Sequence, residues 1–137
     1  MIKMTIADKS TIDHMQEAAI KKKSFELNNH DGTIWCEHLD GMGMCEDEVI
    51  TKFLEDKRTF SKPSVSSFMI INLDKTHMTD RIADTIVTVI LESVKPFRKI
   101  AFVGVKAYWR NQFSIIKQKG ILISFIDDYE KAKEWLI

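Results

Sequence analysis

The chain has 137 residues, 45% of them hydrophobic and 29% charged, with twenty basic side chains against twenty acidic ones. That length predicts one domain with a core that needs no staples, and zero net charge removes the electrostatic case for binding nucleic acid or an anionic membrane. Cys36 and Cys45 make no disulfide framework, MIKMTIADKS has no apolar leader core and no apolar run approaches a membrane span, so a reduced, cytoplasmic setting is expected.

In chain order, Ser10 or Thr11 is placed to cap a short helix running to Lys23, with Ile12, Met15, Ala18 and Ala19 on one face. Residues 1–23 are therefore read as an N-terminal extension, helical or mobile, and residues 24–137 as the domain proper. Lys21-Lys22-Lys23 reads as the solvated end of that helix. From Ser24, Phe25 and Leu27 alternate with polar residues, Asn28 to Gly32 supply turn chemistry, and Thr33 to Leu39 carries Ile34, Trp35 and Cys36. Two strands across such a turn predict an antiparallel hairpin.

After Asp40-Gly41-Met42-Gly43 a helix is expected over Cys45–Thr59, with Glu46, Asp47 and Glu48 favouring its N-terminus and Val49, Ile50, Phe53 and Leu54 forming its apolar stripe. Ser61-Lys62-Pro63-Ser64 breaks that pattern. Ser67–Leu73 is the central strand, its continuous run Phe68-Met69-Ile70-Ile71 predicting burial on both faces. A helix should begin after Thr79 or Asp80 and end near Val94; Ile82, Ile86, Val89 and Ile90 recur at helical spacing and Val87 widens the stripe. Its β-branched residues weaken helix propensity, so burial must hold it. Then come a strand over Ile100–Val105, a helix over Tyr108–Lys119 stopped by Gly120, a strand over Ile121–Ile126, and a closing helix capped by Asp127 or Asp128 with Tyr129, Ala132, Trp135 and Leu136 toward the core. Strand-then-helix units in succession predict an α/β fold with a mixed five-stranded sheet and about four helices, plus the N-terminal one.

The order of elements, with the segments Glu37-His38-Leu39-Asp40, Asn72-Leu73-Asp74, Asp80-Arg81-Ile82-Ala83, Ile123-Ser124-Phe125 and Asp128–Leu136, resembles the STAS family, the anti-sigma-factor antagonists and their SpoIIAA-like branch, over residues 24–137. The resemblance implies a cytoplasmic regulatory module that binds another protein, such as an anti-sigma factor or other signalling protein. In the sigma-regulating members a phosphorylatable serine follows the loop aspartate. Here position 81 is Arg and no serine stands at 80–83, which implies a module without the usual serine switch unless Thr76 or Thr79 takes that role.

Ligands and partners of such sheets gather at the carboxyl ends of the strands, so the loop from Asp74 to Arg81 is the expected site. Asp74, Thr76, His77, Thr79, Asp80 and Arg81 would give polar specificity to a protein partner, and Met42, Met44 and Met78 adaptable contact area. The alternative is a carrier or sensor of a small apolar ligand, with Trp109, Phe113 and Tyr108 lining a pocket between sheet and helices and Arg110 beside it. The aromatic set Tyr108, Trp109, Phe113 and Trp135 otherwise reads as core. Cys36, His38 and Cys45 match no paired zinc-ligand spacing, although alternation puts Cys36 and His38 on one strand face. Asp40-Gly-Met-Gly-Met lacks the lysine and hydroxyl of a phosphate loop. No nucleophile–base pair stands out, so the expectation is a non-enzymatic protein with no metal and no cofactor, binding no nucleic acid and spanning no membrane. Its neutral charge is compatible with a homodimer.

Overall fold

The computed structural model describes residues 21–29 and 32–137. The helix expected over 10–23 lies outside the described residues as far as residue 20, and residues 21–24 have no regular structure. Lys22 is more than a solvated helix end, because its ammonium pairs with Asp40 at 2.6 Å, while Lys21 pairs with Glu48 at 3.3 Å.

The hairpin forms from β1 (Phe25–Asn29) and β2 (Gly32–His38), paired antiparallel with Phe25 opposite Cys36. Three crossovers follow. Helix α1 (Glu46–Phe60) leads to β3 (Phe68–Asn72), α2 (Asp80–Glu92) to β4 (Lys99–Val103), and α3 (Ala107–Ser114) to β5 (Leu122–Phe125). Helix α4 (Tyr129–Leu136) closes the chain. The sheet order is β1-β2-β3-β4-β5, with β2 to β5 all parallel. Each crossover steps one strand over in the same direction, and connections of one hand then lay all three helices on one face. Helix α4 covers the other face, packing Ala132 and Leu136 there.

Strand alternation divides the apolar runs between two cores. Trp35, Met69, Ile71, Ile100 and Phe102 point into the larger one, with Val49 and Phe53 of α1, Ile82, Ile86 and Ile90 of α2, and Phe113. Ile34, Cys36, Ile70, Ala101 and Val103 meet Ala132 and Leu136 of α4 on the opposite side. The unbroken apolarity of the central strand is explained by this two-sided burial. Helix α2 buries Ile82, Ala83, Ile86, Val87, Val89 and Ile90, the packing that its weak propensity requires.

The helix expected over Tyr108–Lys119 ends early: α3 gives way to a 3₁₀ turn at Ile115–Lys119, closed by Gly120 at φ +80°. Ser114 Oγ donates to the Arg110 carbonyl, an i−4 bond that competes with the helical ladder, and two β-branched residues follow it. Asp128 caps α4, accepting from the amides of Glu130 and Lys131. Among the described residues no helix is long and apolar enough to cross a membrane.

Candidate functional site

At the carboxyl edge of the sheet the pairing of β2 with β3 runs on into the loops. The amide of Leu39 donates to Asn72 O, Gly41 to Asp74 O and Gly43 to Lys75 O, and His77 N donates back to Gly43 O at 2.8 Å. Thr76 latches this zipper: its hydroxyl donates to Leu39 O and accepts from Met42 N at 3.1 Å. Gly41 and Gly43 sit at φ +69° and +58°, where a Cβ is disfavoured, so their flexibility serves this turn. Lys75 also has positive φ, +56°, the only non-glycine among the described residues to do so. A non-glycine residue held there stores strain that the surrounding bonds must impose.

The loop then enters α2. Thr79 Oγ1 accepts from Ile82 N at 3.2 Å as the N-cap. The Thr79 hydroxyl and the Arg81 guanidinium both bond to Glu46, holding its carboxyl below the usual range. Arg81 also reaches Asp47 at 2.6 Å, bridging α2 to α1. Thr76 and Thr79 therefore have both hydroxyl functions engaged, and a phosphate on either would break the latch or the cap. The other wall is the exit of β4. Gly104, at φ +81°, lies so close to the Asp74 backbone that a Cβ would stand 2.6 Å from its N and Cα. Gly104→Ala is expected to destabilise the fold by at least about 2 kcal/mol, since left-handed strain and this overlap add. Urea unfolding of the variant measures it.

The expected site residues divide into three groups. Asp74, His77 and Asp80 are exposed, and so is Arg81 despite its ion pairs. Thr76, Thr79 and Met78 are half-buried, Met78 against the larger core. Met42 is fully buried and offers no contact area: its side chain belongs to the core beneath the turn. Met44, two residues on, is 72% exposed. The aromatic set is not a common pocket wall. Phe113 packs inside the core at 4.7 Å from Phe102, Trp109 is half-buried, and Tyr108 is 83% exposed. Tyr108 therefore leaves the core reading and joins the surface beside the loop. Helical spacing already implied this, because Trp109, Phe113 and Ile116 define a face that position 108 misses. Arg110 is spent on Val105 O at 3.2 Å and on the Phe125 ring.

Two polar clusters escaped the sequence reading. On the α4 face, His38 Nδ1 lies 2.8 Å from Asp40 Oδ1, and its ring is stacked between Phe25 and Tyr129 at 5.8 and 5.5 Å. With Asp40 ionised, Nδ1 carries the proton and Nε2 faces the Tyr129 hydroxyl at 3.5 Å. Burial raises the Asp40 carboxyl, but bonds from His38, Lys22 and its own backbone outweigh it and bring the value to about 2. Cys36 shares this face, as alternation requires, and burial pushes its thiol up. Cys45 stands instead at the start of α1. Among the described residues no three His, Cys, Asp or Glu side chains gather as metal ligands.

Under α1, Lys52 Nζ donates to Ser24 Oγ and Asp56 Oδ2, both at 2.8 Å, and Ser24 Oγ donates to Asp56 at 2.9 Å. Fully buried Glu37 joins them. Its Oε1 accepts from Trp35 Nε1 at 2.9 Å, and its Oε2 has no donor. Burial, and then the Asp56 carboxylate beside it, raise the Glu37 carboxyl to about 9, so at neutral pH it is an acid donating its proton to Asp56.

Compared with known proteins, the chain matches no family model, no curated sequence and no solved structure.

Proposed function

We propose that this protein is a non-enzymatic, STAS-like regulatory module of the cytoplasm that captures a protein partner at the carboxyl edge of its sheet. The observation that carries this reading is the pairing of a preorganised loop with exposed large side chains. Met44 and Tyr108 stand in water on the two segments that flank the Asp74–Arg81 loop, one joined to it by the Gly43 zipper and the other by the Gly104 contact. Tyrosine and methionine are favoured anchors in protein interfaces, and Asp74, His77 and Asp80 supply a polar rim. The positive φ of Lys75 is the kind of strain retained at recognition sites. A backbone fixed before binding lowers the entropy lost on association.

Catalysis is less well supported. Cys36 has no exposed surface and a raised thiol, and the Ser24 hydroxyl is saturated by Asp56, Lys52 and the His38 amide. With both threonine hydroxyls engaged, the module acts without a phosphate switch at positions 76 or 79, and its partner is an anti-sigma factor or another signalling protein.

Affinity capture from native extract tests the reading. Tyr108→Ala and Asp80→Lys each change an exposed side chain, so both variants should fold; Asp80→Lys also places a cation at a helix N-terminus, costing a few tenths of a kcal/mol. One specific partner is expected with the native chain, reduced at least tenfold by either substitution. Equal recovery with all three baits removes this surface from the account.

A further inference from the structure

The opposite, amino edge of the sheet holds a cleft of about 1280 Å³. The cleft is open to solvent along one side and has room for a chain-like ligand with its body inside and one end in water. Val65, Phe68, Val89 and Val94 line it, between the start of β3 and the end of α2. Val94 is 100% exposed at its mouth, an aliphatic side chain with nothing described to cover it.

The charge at this cleft is one-sided. Lys57, Lys95 and Arg98 line it against the single carboxylate of Glu92 among the described residues. Lys95 is committed, because its ammonium donates to the carbonyls of Phe60, Lys62, Val65 and Ser66. That cage fixes the wall of the cleft and leaves a buried positive charge behind it. Arg98 is differently placed. Its guanidinium lies 5.7 Å from the ring centroid of Phe68, which packs toward the α4 core, so Arg98 stands at the rim of the cleft, and it has no carboxylate partner among the described residues. Its backbone is held in place by the bond from Arg98 N to Ser67 O. A planar cation at the rim of an apolar cleft, with no acid partner among the described residues, is suited to a carboxylate whose hydrocarbon enters the cleft.

We propose that this cleft binds an amphipathic carboxylate, with its chain along Val65, Val89 and Val94 and its headgroup on Arg98. The site stands apart from the partner surface, at the other end of the strands, and does not depend on it.

The test is a titration of the full ¹⁵N-labelled chain with dodecanoate below its micellar concentration, repeated with the uncharged methyl ester. Saturable shifts are expected at Thr33, Val65, Val89, Val94 and Arg98, with the ester at least tenfold weaker. Arg98→Gln should weaken dodecanoate about tenfold and leave the ester unchanged. Val94→Asp, at a fully exposed position that cannot disturb the core, should weaken both. Shifts centred on Tyr108 and Trp109, no saturable shift, or equal binding of acid and ester would overturn the proposal.

Discussion

Replacing Glu37 by glutamine should stabilise this protein by about 3 kcal/mol at pH 7. Glu37 is folded as an acid with its carboxyl raised from 4.5 to about 9. In the unfolded chain it ionises normally, so between those values folding takes up a proton, and each pH unit costs about 1.4 kcal/mol. The sign follows: the native contribution is complete below about pH 4.5 and is lost progressively as pH rises toward 9. Glutamine has the shape of the protonated acid, accepts from Trp35 through its oxygen and donates to Asp56 through its amide, and releases no proton on unfolding. Urea unfolding of both chains between pH 5 and 9 should show curves that diverge with rising pH, the native one falling away. This window lies above the range in which Asp40, held at about 2, loses its contribution as pH falls. Parallel curves would mean that Glu37 is ionised in the fold.

The second large effect is expected at Lys95. Lys95→Met should cost about 4 kcal/mol and lower the melting temperature by about 10–15 °C, since it removes a donor from four carbonyls at once, of which Lys62 O keeps a second one from the Val65 amide. The ammonium sits against the Phe97 ring as well, at 5.2 Å from its centroid. Methionine fills a similar volume, so any loss reports the polar cage rather than a cavity. Lys95→Arg should not rescue, because a planar fork cannot serve acceptors grouped around a point charge. A thermal melt within about 2 °C of the native chain would show that the 60–66 segment holds itself.

The order of strands and helices was legible because its signals are local. Continuous apolar runs, the stripe of α2, Gly120 and the aspartate before α4 each act within a turn or two of chain. The neighbouring loop at the carboxyl edge followed from the same order. What escaped were contacts made across the fold. Ser24 meets Asp56 at a separation of 32 residues, Lys95 meets Phe60 at 35, and neither pattern has a local period to read. No local pattern marks Lys95 for burial, which depends on where the break around Pro63 places its carbonyls. Met42 and Met44 look alike in a glycine turn; only the zipper to the next loop sends one inward and leaves the other in water. The apolar cleft is assembled from segments scattered between Gly32 and Arg98, so no stretch of sequence announces it.

If, as proposed, a protein partner meets the carboxyl edge and not another surface, crosslinking should be confined to that edge. The most direct measurement places a photo-crosslinking amino acid at Tyr108 in one chain and at Val94 in another, irradiates each in native extract, and identifies the adducts by mass spectrometry. Both positions are exposed, and they lie at opposite ends of the strands. One defined protein adduct is expected from position 108 and none of the same identity from position 94. The same partner at both positions, or an adduct from position 94 alone, would contradict it.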